Sequence, residues 1–317
     1  MPSNTVTTYG TVGNREDLIE KVFSIAPSDT PLASAIDRVS ANSTFHEWQT
    51  DTLQAAVVGG GAIEGSDASY AAKAPTVRLG NYTMILKNAF SVSNTQEAVN
   101  HAGPNQLARI TANTMKELKK NIEANIIASS TASAGAVGTG RSMRGLKGAL
   151  ATNFFGGTGS SAPVYGVPGT APVAGTARAY SETILKQALS QTFTAGGNVS
   201  MLLMTPNTKQ VQSAFTGNVA RQQVVNGQGD TLNTAYTIYG SDFGDVKCVP
   251  NRIMAQISDN AVYGVDTSML ALATLRGFET QELAVTGDAK NFEIRWEGTL
   301  EHRNEAASFQ IRDLSGT

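Results

Sequence analysis

What this chain has little of narrows its function before any motif is read. Cysteine occurs once, at Cys248, so no internal disulfide framework can form. It sits in an apolar alternation with Val246, which predicts a small buried core residue and not a nucleophile. The three histidines, His46, His101 and His302, are scattered, with no partner at metal-ligand spacing. Charged residues make up 16% of the chain, below the ~25% usual for soluble domains, which points to neutral surface covered by other copies of the chain. A basic excess is missing too: 24 Lys and Arg stand against 26 Asp and Glu, a net charge of −2. The longest basic pair, Lys119-Lys120, reads with Lys116 and Glu123 as a solvated helix face. Tight binding to phosphate backbones is therefore not expected.

No apolar run approaches the ~20 residues of a membrane helix. The start, Met-Pro-Ser-Asn-Thr, lacks the basic and apolar pattern of a secretory leader. Glycosylation-type triplets at Asn42, Asn81 and Asn198 then carry no weight, and the chain reads as made and used in a cytoplasm.

Catalytic patterns are absent as well. There is no Gly-x-Ser-x-Gly elbow and no loop ending in Gly-Lys-Ser/Thr. Gly135-x-x-Gly138-x-Gly140 follows a helix and not a strand, which excludes a nucleotide fingerprint. Ser241-Asp-Phe-Gly244 lacks the context of the kinase motif it resembles. His302, in Glu301-His-Arg-Asn-Glu305, has no second histidine four residues away and reads as a salt-bridged strand end. Glu47, Asp51, Glu64 and Asp67 read as solvated or inter-subunit ion-pair partners, and Trp48 and Trp296 as packing residues on strands. No catalytic, cofactor or metal constellation is predicted.

The remaining pattern is one of segments. Residues 1–43 are polar and broken, with a short helical stretch at 16–25 ended by Pro27 and Pro31. Such an arm cannot build a core and is disordered or laid across a partner. Strand-like runs at 44–53 and 76–92 flank about 22 residues of mostly Ala, Gly, Ser and acidic groups, far longer than a hairpin loop. This two-stranded flap needs an external surface. From Pro104 to Ser130, the stripe Leu107, Ile110, Thr114, Leu118, Ile122, Ile126 predicts one amphipathic helix of ~40 Å, with Arg109, Lys116, Lys120 and Glu123 opposite. Residues 131–180 hold eleven of the 31 glycines, so little regular structure is expected beyond an anchor at Arg141-Ser-Met-Arg144-Gly-Leu146. Patterning returns in 181–285. Ser181 caps a helix with Ile184, Leu185, Ala188, Leu189 and Phe193 inward, Val199–Met204 is a buried strand, and Thr205-Pro206 opens a second helix. A hairpin brackets Ser241–Gly244, and strands run at 261–265 and 270–275. The end returns as a strand with Phe292, Ile294, Trp296 and Leu300 on one face, packed against the long helix. Glu293, Arg295, Glu297, Thr299 and Glu301 form its other face.

This order of segments resembles the major capsid proteins of tailed phages, the Hong Kong 97 type fold. So do eight strings across nearly the whole length. They are Tyr9-Gly-Thr-Val-Gly-Asn-Arg-Glu-Asp-Leu18, Thr30-Pro-Leu-Ala-Ser-Ala-Ile36, Thr44-Phe-His-Glu-Trp-Gln-Thr-Asp51, Glu64-Gly-Ser-Asp67, Ser241–Gly244, Val249-Pro-Asn-Arg252, Thr286-Gly-Asp-Ala289 and Thr299–Glu305. The resemblance implies an α+β fold in five parts: an N-terminal arm (1–43), an extended loop overlapping a neighbour (44–92), a peripheral domain with its spine helix (93–180), an axial domain (181–285), and returning peripheral strands (286–317). The insertion at 156–179 has no match. The implied function is self-assembly, as hexamers and pentamers, into the icosahedral head of the virion. That head encloses double-stranded DNA without specific binding, is built in the host bacterial cytoplasm, and works with portal, scaffolding and decoration proteins. No membrane and no enzyme activity are implied. Candidate interface residues are Glu47, Trp48, Asp51, Glu64, Asp67, Lys73 and Arg78 on the flap, Arg141 and Arg144 in the anchor, and Arg303 in the return. Cross-linking between subunits is not expected. The rivals are an encapsulin-like nanocompartment shell and a virion hydrolase or glycan-binding protein.

Overall fold

The computed structural model describes residues 29–315 apart from 54, 57, 60, 69, 71, 74, 100–104, 167–168, 216–237 and 286. Two expectations lie outside these residues: the arm up to residue 28 with its 16–25 helix, and Pro104 as a helix start. The elements run α1 (Pro31–Ala35), β1 (Asp37–Ser40), β2 (Phe45–Thr50), β3 (Val77–Tyr82), β4 (Met84–Ser93), α2 (Asn94–Ala98), α3 (Gln106–Ala128), α4 (Leu146–Ala149), β5 (Phe154–Phe155) and α5 (Glu182–Thr194). They continue with β6 (Met201–Met204), α6 (Pro206–Ser213), β7 (Ile238–Ser241), β8 (Gly244–Pro250), α7 (Arg252–Gln256), β9 (Val262–Val265), β10 (Leu270–Glu282), β11 (Ala289–His302) and β12 (Phe309–Ile311).

These strands form a four-stranded sheet β1-β10-β11-β4, a six-stranded sheet β5-β12-β9-β6-β8-β7, and the separate pair β2-β3. The long helix α3 starts where the Asn105 side chain accepts the Ala108 N–H at 3.1 Å. Its stripe Leu118, Ile122 and Ile126 packs with Ile294, Trp296 and Leu300 of β11 in one core. The α5 helix starts at Ser181 and buries Leu185, Ala188 and Leu189, as its spacing predicts.

Strand β6 shows why the two sheets make one body. Side chains alternate across a strand, and Met201 and Leu203 belong to the core around α3, while Leu202 and Met204 belong to the core under α5. Strand β9 divides in the same way, Tyr263 and Val265 to the first core and Val262 to the second. A wholly apolar strand is what burial on both faces demands.

Five expectations need correction. Residues 29–41, assigned to the arm, pack on the chain's own body: Leu32, Ala33 and Ile36 enter the first core, and β1 pairs in parallel with β10. Glu123, assigned to a solvated face, is fully buried, because the last turns of α3 are surrounded and no longer one-sided. The run at 76–92 is two strands: β3 pairs with β2, then the chain turns at Thr83 and β4 joins β11. Sheet membership also departs from the order of the expected segments. Strand β10 lies in the four-stranded sheet, while β5 and β12 lie in the six-stranded one, since parallel and antiparallel partners far apart in sequence decide sheet membership. Phe193 is not inward; it is 55% exposed and sits beside Phe243, ring centroids 4.9 Å apart.

The glycine-rich segment holds little regular structure, as expected, only α4 and the two-residue β5, and its anchor is buried, with Met143, Leu146 and the following Leu150 fully covered. Its glycines permit close approach: a Cβ on Gly148 would stand 1.9 Å from the Ser130 carbonyl oxygen.

Candidate subunit-contact site

Strands β2 and β3 form an antiparallel hairpin from Phe45↔Tyr82 to Thr50↔Val77. Beyond Thr50 the described residues of the 51–76 segment run without regular structure, and their large apolar side chains face solvent. Leu53 is 97% exposed, Val58 99%, Ile63 81% and Tyr70 95%. Large apolar side chains left uncovered along one segment are what a protein–protein contact site presents. Along the hairpin, Arg78 Nε donates to Glu47 Oε1 at 2.8 Å and Nη2 to Oε2 at 2.5 Å. The hydrogen bond to Glu47 and its charge raise the Arg78 pKa further.

The root of the hairpin is held by a polar seam on β11. Thr83 N donates to Thr44 O at 2.8 Å, and its hydroxyl donates to Glu297 Oε1 at 3.0 Å. The same buried carboxylate accepts from Arg276 Nε at 2.7 Å and from Arg141 Nη2, whose Nε also donates to Thr83 O at 3.1 Å. Burial pushes the Glu297 carboxyl up, but hydrogen bonds from Arg276 and Thr83 and the two guanidinium charges outweigh it and hold its pKa below the usual range. One turn of the pleat further, Glu301 accepts from His46 Nε2 at 2.8 Å and Arg303 Nε at 2.8 Å. Here too burial is outweighed, by bonds from His46 and Arg303, and the pKa falls.

A third fastening is neutral. Asn81 is buried and donates through Nδ2 to Arg144 O at 2.8 Å and Leu300 O at 2.9 Å, while its Oδ1 accepts the Arg144 N–H at 2.9 Å. Three attachments hold the root, and among the described residues of 51–76 no hydrogen bond or ion pair reaches the body of the subunit.

The predicted residues divide accordingly. Glu47 and Arg78 pair with each other, and Trp48 lies half-buried on the hairpin with its ring 5.9 Å from that of His46. Asp51, Glu64, Asp67 and Lys73 are exposed on the tip segment. Arg141, Arg144 and Arg303 make intramolecular bonds at or beside the root, Arg303 also to Ser268 O at 3.1 Å. Sequence reading missed His46, Asn81, Thr83, Arg276, Glu297 and Glu301 as members of this site. The signal for the last two was present: carboxylates four apart on one strand face imply a partnered face. The reading of His302 as a salt-bridged end is corrected. Its ring is buried with no hydrogen-bond partner at either nitrogen, and its neighbour Glu301 makes the ion pair. Among the described residues no group of three His, Cys, Asp or Glu could hold a metal, and no helix is long and apolar enough to cross a membrane.

Comparison with known proteins gives a consistent result. Residues 5–315 match the family model described as SU10 major capsid protein. The major capsid protein of Escherichia phage Phieco32 is 25% identical over 344 aligned positions, covering 97% of this chain and 96% of that one. Among solved structures, the capsid asymmetric unit of cyanophage A-1(L) superposes with a TM-score of 0.65 at 15% identity, over 97% of this chain and 98% of the other. The holo-SrpI encapsulin complex of Synechococcus elongatus matches less well, with a TM-score of 0.57 at 9% identity over 96% and 93%. At those identities the structures show the shared fold.

Proposed function

Because the chain belongs to the SU10 major capsid protein family, and is a major capsid protein of a phage virion, we propose that it closes the head shell by laying its hairpin tip on the next copy. The observation that carries this reading is the contrast within the hairpin, a root held by buried carboxylates and a tip whose apolar side chains have no cover. A contact from one patch onto a different patch of an identical neighbour is heterologous, and it closes into rings when the rotation permits. Hexamers and pentamers of this kind, joined, give an icosahedral head.

The shell encloses double-stranded DNA without gripping it, consistent with a net charge of −2. Portal and scaffolding proteins set where and how it closes in the host cytoplasm, and decoration proteins bind its outside. The role is structural, with no reaction catalysed. The encapsulin-like reading shares the fold in outline, but the family match and the Phieco32 relative favour the phage head.

The test is a chain lacking residues 54–75. Asp51, Thr52, Leu53 and Thr76 then join β2 to β3 as a four-residue loop, a length hairpins accept. The shortened chain is expected to keep its circular dichroism and melting temperature and to form no closed particles by electron microscopy. Particles at wild-type yield would overturn the reading.

A further inference from the structure

The glycine-rich finger after the anchor segment has no role in anything derived so far, although it touches the hairpin root. Its two limbs meet at Ser161 and Val173, which exchange backbone hydrogen bonds at 3.2 and 3.1 Å, and again between Thr170 N and Val164 O at 3.2 Å. The base is tied to the body by Gly157 N donating to Asp313 Oδ2 at 2.9 Å. From this base the outgoing limb reaches Arg144, a side chain 2% exposed. The Arg144 guanidinium lies over the Tyr165 ring, 4.0 Å from its centroid, donates through Nη1 to Gly166 O, and donates through Nη2 to Gly80 O of β3 at 3.1 Å. Among the described residues no carboxylate forms an ion pair with it. A planar five-donor group can bridge two carbonyls while stacking on a ring, which an ammonium cannot do.

We propose that the finger is a strap over the hairpin root, with Arg144 as the positioning residue that couples the two, so that the strap sets the direction in which the hairpin leaves the subunit. The carbonyl of Gly80 lies one residue before Asn81, the neutral fastening to Arg144 and Leu300 backbone. Lifting the Tyr165 ring lets water reach the guanidinium, and a hydrated guanidinium no longer needs Gly80 O. The hairpin then keeps its carboxylate fastenings on β11 but loses the one nearest its emerging strand. The assignment concerns the inside of one subunit; only its consequence for shell geometry rests on the function proposed above.

Hydrogen exchange read by mass spectrometry on the unassembled full-length chain tests it, independently of whether the tip meets a neighbour. Tyr165→Ala is expected to speed exchange in residues 45–50 and 77–82 by about thirtyfold, the size of a desolvated cation–π contact. Exchange in β6 and β9 should stay at its wild-type rate. Unchanged exchange in the hairpin, or an equal rise in both regions, overturns the proposal. Should Tyr165→Ala fail to fold, Arg144→Lys decides by the same readout: faster hairpin exchange supports it, a wild-type rate sinks it. With the strap loosened, particles are expected to vary in diameter by electron microscopy, while loss of all assembly would indicate that the hairpin itself has been unfolded and would count against a merely directional role.

Discussion

Replacing Glu123 by Ala should unfasten the N-terminal end of the described chain from the body. The buried carboxylate of Glu123 accepts three hydrogen bonds: Leu32 N at 3.0 Å, Ala33 N at 2.8 Å and Asn251 Nδ2 at 2.8 Å. The first two are free N–H groups at the start of α1, which has no capping side chain of its own. The third comes from the loop between β8 and α7, so one side chain joins the long helix, α1 and the second sheet. Bonds to an ionised acceptor contribute roughly 1.5–3 kcal/mol each, and burying the charge costs several kcal/mol. Burial is the larger influence on this carboxyl and raises its pKa in spite of the three donors. The net loss in Glu123→Ala is therefore about 3 kcal/mol, well below the sum of the bonds. Glu123→Gln removes the charge cost along with the charge-assisted bonds and should lose about half as much. Chemical denaturation of the unassembled chain measures both, and hydrogen exchange at 32–41 locates the loss. A change under about 0.5 kcal/mol in Glu123→Ala, with wild-type exchange at those amides, would refute this account.

Two further perturbations test other parts of the core. His302 is buried; burial, and then the charge of Arg144, lower its pKa to about 3. A base with a depressed folded pKa is protonated more readily when unfolded, so its contribution is intact above the unfolded value near 6.5 and is lost as pH falls below it. Between pH 7.5 and pH 5 the wild type should lose about 2 kcal/mol more than His302→Leu, measured by urea midpoints; equal losses would show that the ring is not buried neutral. Gly148→Ala should cost at least ~2 kcal/mol or prevent folding, because the neighbour is the Ser130 backbone and cannot yield. Gly140→Ala, with open space around the added carbon, should melt as the wild type does.

Much of this architecture was legible where one physical pattern repeats along the chain. The stripe from Leu118 to Ile126 places α3 within two residues of its ends, and the apolar run at 199–204 marks β6. The alternation in β11 picks out the face packed on α3. The Ser181 and Thr205 caps mark two helix starts, both realised by side-chain hydrogen bonds. Misreadings fell where one residue type serves two purposes. The glycine count of 131–180 says only that regular structure is scarce, whereas Gly145 and Gly148 let the chain cross the end of α3 at backbone distance. Glu123 read as a surface charge because its helical spacing matches Lys116 and Lys120, and spacing alone cannot say that a second layer covers that face. The candidate site was half legible. The exposed tip followed from the shortage of apolar residues with anything to pack on, while the root depends on bonds such as Thr83–Glu297, His46–Glu301 and Asn81–Leu300, each joining residues more than 200 positions apart.

Sequence alone thus determined helices α3, α5 and α6, the buried strand β6, the alternation of β11 and the family resemblance, because periodicity and composition are local and survive without knowledge of what packs where. Only the tertiary structure decided which sheet each strand joins, that residues 29–41 belong to the body, and that Arg141, Arg144, Glu297 and Glu301 are spent inside the subunit. The reason is that a charge carries the same sequence signature on a wet face and under a second layer. Whether water or a distant carbonyl satisfies it depends on chain segments that meet only in three dimensions.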